Sequence, residues 1–158
     1  MPQFKTVALG GTFDIIHKGH LELLRKAFSI SSKVIIGLTS DELAIRKGKN
    51  PINNYSRRHT LLNLAISKHF PNTSYEISKL VNDFGPAAIE GNVEALVTSE
   101  ETSHQGNILN DLRKQKKLLP VAIVVVPMVM AKDGKRISST RIKNFEIDTE
   151  GNLSQIDN

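Results

Sequence analysis

GGTFDIIHKGH, from Gly10 to His20, follows the apolar run Phe4 to Leu9 and precedes Leu21, Leu23, Leu24, Ala27 and Phe28, which recur at helical spacing. The stretch is therefore the turn between a buried strand and a helix. It holds two adjacent glycines, a threonine, an aspartate and two histidines three apart. Such a corner suits a phosphate group. Turn amides donate to an anion, Gly19 leaves room for a ligand to approach the backbone, and His17 and His20 project from nearly one face of the first helical turn.

Outward from this corner the same alternation continues. Lys33 to Leu38, Thr73 to Leu80, Glu94 to Thr98 and Val121 to Val126 read as further strands, the last as the central one because it is the most apolar run in the chain. Helices are expected from Glu42 to about Arg46, from a Ser56 cap to His69, and over Glu100 to Lys117 with Ile108, Leu109 and Leu112 facing inward. A last helix opens at Ser138, Ser139 and Thr140 and runs to about Phe145. Lys47 to Asn54 is an exposed loop, and Asp83 to Pro86 is a turn. Strands alternating with helices predict a Rossmann-like α/β fold with a doubly wound, parallel, five-stranded sheet. One domain spans residues 1–158, with a polar tail from about 146 lying on the surface. In such sheets ligands bind beyond the C-terminal ends of the strands. The corner at Gly10 and the helix opened by Ser138 both belong there.

Composition narrows the function. The chain has 158 residues, 39% hydrophobic and 23% charged, which is ordinary globular usage. Without cysteine, disulfides, thiolate metal sites and cysteine nucleophiles are excluded. A formal charge of +5 attracts anions, yet the charge is not gathered in one block and aromatics are only 5%, so small polyphosphates fit better than nucleic acid. The absence of an apolar run of roughly 20 residues and of a leader-like N-terminus predicts a cytoplasmic protein without membrane partners.

Individual residues carry both structural and chemical readings. His17 and His20 are each a helix cap or a polar contact when taken singly, and His-x-x-His without a regularly spaced carboxylate matches a zinc site poorly, so no protein-held metal is expected. Asp14 reads as a cap for the first helix as readily as a site residue. Ser138, Ser139 and Thr140 read as N-caps whose free amides and hydroxyls also suit an anion. Lys47 and Lys49 lie on the exposed loop, either one able to reach a phosphate.

GTFD followed by HKGH, together with ISSTR at Ile137 to Arg141, resembles the paired motifs of the nucleotidylyltransferase superfamily. GLTSDE at Gly37 to Glu42, Tyr55 with Arg58, DFGPA at Asp83 to Ala87, SEET at Ser99 to Thr102, Asn110 with Arg113, and EIDTEG at Glu146 to Gly151 are similar to the archaeal and eukaryotic type of phosphopantetheine adenylyltransferase. The resemblance covers nearly the whole chain. His17, where the bacterial type usually has threonine, agrees with that placement.

The resemblance implies a nucleotidylyltransferase-type fold and transfer of AMP from ATP to the phosphate of 4'-phosphopantetheine, giving dephospho-coenzyme A and pyrophosphate. It makes His17 and His20 the catalytic pair near the α-phosphate. It gives Gly10, Gly11, Thr12 and Phe13 to the nucleotide or its phosphates, and Ser138, Ser139, Thr140 and Arg141 to the leaving pyrophosphate. Lys47 or Lys49, Arg58, Ser99, Glu100, Asn110 and Arg113 are implied contacts to acceptor or phosphate. Magnesium would enter on the ATP phosphates. Another acceptor (nicotinamide mononucleotide, flavin mononucleotide or, with CTP, glycerol phosphate) would use the same motif pair, and a non-catalytic nucleotide- or nucleic-acid-binding module would share the fold. Monomer and small homo-oligomer are both compatible with the sequence.

Overall fold

The computed structural model describes residues 2–85, 88–89 and 91–153. Five parallel strands, β1 (Phe4–Gly11), β2 (Ser31–Thr39), β3 (Tyr75–Leu80), β4 (Ala95–Ser99) and β5 (Ala122–Val126), form one sheet in the order β3-β2-β1-β4-β5. Between and after them lie α1 (Lys18–Ile30), α2 (Asp41–Arg46), α3 (Tyr55–His69), α4 (His104–Gln115) and α5 (Ser139–Lys143). The doubly wound prediction is met.

Strand alternation sorts the core into two layers. Val7 and Leu9 of β1, with Val34, Ile36 and Leu38 of β2, pack against Leu24 and Ala27 of α1 and Leu62 and Ile66 of α3. Ala8 and Leu96 turn the other way, toward Leu109 of α4 and Val93 and Val121. Gly106 lets α4 sit directly on β5, since a Cβ there would lie 2.5 Å from Ile123.

Four expectations change. The run Val121 to Val126 is an edge strand rather than the central one: among the described residues β5 pairs only with β4, and Ala122 and Val125 are exposed. Ile108 points outward at 46% exposure while Leu109 is fully buried. α3 is capped by Asn54, whose side chain accepts from Arg57 N, two residues ahead of Ser56. The start of the supposed surface tail is folded down: Ile147 is buried with Ala131 and Ile137, Ile147 bridges Leu153, and Gly151 O accepts from Lys132 N. Tail residues 154–158, and Pro86 and Ala87 of the DFGPA stretch, lie outside the described residues.

Asn110 and Arg113, expected near the ligand, are instead clamps within the scaffold. Asn110 pairs through both side-chain atoms with the backbone of Val121 (3.1 and 2.7 Å), fixing the entry to β5. Arg113 is 6% exposed and donates to the carbonyls of Leu119 (2.7 Å) and Ala88 (2.8 Å). A guanidinium spent on buried carbonyls is not available to a phosphate. No helix among the described residues is long and apolar enough to cross a membrane.

Candidate active site

The first turn of α1 is closed by its own histidines. His17 is the N-cap: its Nδ1 accepts from Gly19 N at 3.1 Å, while Nδ1 of His20 accepts from His17 N at 3.2 Å, a reciprocal capping box. The two rings stack with centroids 3.8 Å apart. Because both Nδ1 atoms accept, each neutral ring carries its hydrogen on Nε2. Burial pushes His17 down to about 4, with the Arg136 charge adding to it. Burial likewise holds His20 well below its ordinary value, assisted by His17 and Lys49 and opposed by a hydrogen bond to the Ile15 backbone and by Asp14. The site therefore presents two neutral imidazoles.

Three details of the corner differ from expectation. Gly19 makes room for the His17 ring, not for a ligand; a Cβ there would lie 2.9 Å from it. The amides of His17, Lys18 and Gly19 are taken by His20 Nδ1, Thr149 O and His17 Nδ1, so the imidazoles rather than these amides are left to meet an anion. Phe13 is core: 1% exposed, it adopts φ of 50° and backs His20 with its ring 4.9 Å away. A bulky residue held in the left-handed region is strained, and such strain persists where the surroundings fix it.

Two buried charged residues then tie the elements together. Asp14 does not cap α1. Only 3% exposed, it accepts from the amides of Ile52 (2.9 Å) and Asn53 (3.0 Å) and pairs with Lys143 Nζ at 2.6 Å, anchoring the 50–54 loop and α5 to the corner. Burial alone would raise its pKa, but Lys143 and the two amides outweigh it and hold the carboxyl below its usual value. Arg58, expected to clamp phosphate, is fully buried and donates to Thr12 O (2.9 Å), Thr39 O (2.8 Å), Asn53 O (3.0 Å) and Asp41 Oδ1 (2.8 Å). Its fork binds the ends of β1 and β2 to α3.

The ISSTR segment sits against the histidine corner. Ser138 caps α5 by accepting from Arg141 N, and Ser139 Oγ donates to Ile15 O at 3.3 Å. Arg141, expected on the pyrophosphate, has its guanidinium committed to Asp133, Glu146 and Arg136 O. It braces the loop that carries the serines. Thr140 is exposed at the opening of the helix.

Beside this corner, over the C-terminal halves of β2, β1 and β4, lies a cavity of about 180 Å³. Gly10, Gly11, Thr12, Lys47 and Lys49 form one end of it. Lys49 Nζ reaches Thr12 Oγ1 at 3.3 Å, whereas Lys47 is paired with Asp83 at 2.9 Å, so Lys49 is the loop lysine that faces the corner. Burial and neighbouring Lys47 lower its pKa. Ser99 lines the cavity and pairs with Thr102 at 3.1 Å; Glu100 is exposed in the turn and does not line it. Sequence reasoning missed Thr98, the buried end of an apolar run, which lines the cavity too. It also missed Arg136, whose pairing with Glu101 of the SEET stretch at 2.5 Å brings the loop before α5 to the turn after β4. A hydroxyl at the C-terminal end of a parallel strand was the available signal for Thr98.

This geometry has known counterparts. Residues 8–145 match the family described as cytidylyltransferase-like. The chain is 42% identical over 151 residues to the phosphopantetheine adenylyltransferase of Methanosarcina acetivorans, covering 94% of this chain and 96% of that one. The chain belongs to the archaeal-type phosphopantetheine adenylyltransferases. Within that family, the enzyme of Pyrococcus horikoshii is 41% identical over 154 residues, covering 96% of each chain. Among solved structures, an Archaeoglobus fulgidus protein of unknown function matches with TM-score 0.70 and 29% identity over 77% of this chain and 88% of its own. The tyrosyl-tRNA synthetase of the same organism shares the fold alone, with TM-score 0.59 and 9% identity over 87% of this chain and 59% of its own.

Proposed function

We propose that the cleft transfers AMP from ATP to the phosphate of 4'-phosphopantetheine, releasing pyrophosphate and forming dephospho-coenzyme A. One observation carries the assignment of roles: Ser139 Oγ on Ile15 O holds the ISSTR segment against the stacked His17–His20 pair, so both phosphate-facing motifs address one triphosphate.

The acceptor phosphate attacks the α-phosphorus in line with the departing pyrophosphate, and no covalent enzyme intermediate is needed. The Nε2–H of His17 donates to an α-phosphate oxygen, where charge builds in the transition state, and that of His20 does so on leaving the Ile15 carbonyl. The approaching anion favours the protonated rings, drawing their depressed pKa values back upward as charge develops. Lys49 and Thr12 hold the acceptor phosphate at the mouth of the cavity. Its neutral arm, with geminal methyls and two amides, lies along Ala8, Ile35, Leu80, Phe84 and Leu96. Ser138, Ser139 and Thr140 take the pyrophosphate side.

Magnesium, when bound, neutralises the triphosphate. No group of three or more His, Asp or Glu side chains that could hold a metal occurs among the described residues, and Asp14 is already committed to Lys143 and two amides. The donor set thus fits an ion carried by phosphate and water rather than by a carboxylate cage. The reaction belongs in the cytoplasm, with no nucleic-acid or membrane partner.

The test is pyrophosphate release from ATP and magnesium with each acceptor in turn: 4'-phosphopantetheine, nicotinamide mononucleotide, flavin mononucleotide, and glycerol phosphate with CTP. Turnover with 4'-phosphopantetheine alone is expected. Release no faster than with water for it, beside turnover with another acceptor, would overturn the assignment.

A further inference from the structure

Thr98, on the last turn of the pleat in β4, is 7% exposed and lines the cavity, and its Oγ1 has no hydrogen-bond partner among the described residues. An unmet buried hydroxyl costs free energy, so where one persists a partner is to be sought. The neighbouring polar groups do not supply it: Ser99 Oγ and Thr102 Oγ1 are paired with each other. The lining from β4, β1 and the start of α4 is uncharged: Leu96, Val97, Ala8 and Leu9 are apolar, and Ser99, Thr102 and Gln105 are neutral.

Resting on the function proposed above, we infer that the Thr98 hydroxyl is a specificity residue that hydrogen-bonds an amide of the acceptor's neutral arm. The choice between the two substrates follows from position. His17, His20 and Ser138 to Arg141 do not line this cavity, whereas Gly10 to Thr12 and the two loop lysines do. A ligand anchored by its phosphate at Lys49 and Thr12 and extending inward is therefore the acceptor, not the triphosphate. A neutral hydroxyl in an uncharged wall matches a neutral amide; a charged ligand segment would be left without a counter-charge there. A site built around such a bond also rejects ligands lacking the polar group, because the hydroxyl then stays unpaired.

The experiment compares wild type with Thr98→Val and Thr98→Ser. Valine keeps the shape and removes the hydroxyl; serine keeps the hydroxyl. In Thr98→Val the KM for 4'-phosphopantetheine is expected to rise about 5- to 50-fold, with the KM for ATP unchanged and the melting temperature of the ligand-free protein equal to wild type or higher. Thr98→Ser should hold the acceptor KM within about threefold of wild type. An acceptor KM within twofold of wild type in Thr98→Val, or equal rises in both KM values, would overturn the inference. So would a lower melting temperature in the valine variant with serine restoring it, which marks a purely structural hydroxyl. If wild type itself fails to use 4'-phosphopantetheine, the functional reading falls first, and this inference with it.

Discussion

Replacing Arg58 by methionine separates scaffold from substrate contact. The guanidinium is fully buried and bridges three carbonyls and the Asp41 carboxylate at 2.8 to 3.0 Å. Methionine fills similar space but strands all four acceptors. Breaking a buried charged network in this way costs about 3–5 kcal/mol, although Asp41, with a half-exposed side chain, recovers part of that from water. For a domain of this length each kcal/mol moves the melting temperature by roughly 2–4 °C, so Arg58→Met should melt about 10 °C lower. Circular dichroism melts and steady-state kinetics well below the melting point are the assays. A residual change in kcat/KM is expected, since Thr12 O is one of the four partners. Arg58→Lys keeps the charge without the fork and should fall between. A melting temperature within about 3 °C of wild type, combined with a loss of activity beyond about 100-fold, would refute the scaffold role and put the guanidinium on phosphate.

Further predictions concern the histidine corner. His20→Ala should lower kcat about 10²- to 10³-fold through loss of one transition-state donor, while losing part of the capping box costs only about 1 kcal/mol in stability; near-normal turnover would remove the proposed role. His17 titrates at about 4 when folded and near 6.5 when unfolded, so its contribution to stability is present above pH 6.5 and is lost as pH falls toward 4. That limb should slope by up to about 1.4 kcal/mol per pH unit from this residue, and His17→Asn, which keeps a capping acceptor, should flatten it in denaturant titrations from pH 4 to 7. Gly19→Ala places a methyl against the His17 ring and should cut kcat while helix α1 stays formed by circular dichroism; unchanged kcat would contradict the packing of that ring.

Much of this molecule was legible because its signals are local. The run Phe4 to Leu9, the glycines after it and the helical spacing from Leu21 onward fix a strand, a turn and a helix without reference to anything distant. What escaped depends on partners far along the chain. Arg58 finds Thr12 O across 46 positions, and Arg113 finds Ala88 O across 25, so nothing in their spacing tells a buried clamp from a phosphate ligand. The order of strands is set by pairing and connection, not by hydropathy, which is why the most apolar run lies at an edge. Helix α4 covers one face of it, close enough that Gly106 has no room for a side chain, and that contact explains its composition. The serines of ISSTR were read as caps and as phosphate contacts together; Ser138 is the cap, and Ser139 ties the segment to the histidine corner. The tail was misread because its apolar residues are sparse, and Ile147 is buried only by a small separate cluster with Ala131 and Ile137.

The central claim, direct transfer of AMP between two phosphate-facing motifs onto 4'-phosphopantetheine, is tested most directly by a single turnover with ATP labelled at the α-phosphorus. All of the label is expected in dephospho-coenzyme A, with unlabelled pyrophosphate in equal amount and none on the protein. Label recovered as free AMP, or bound covalently to the chain, would contradict it.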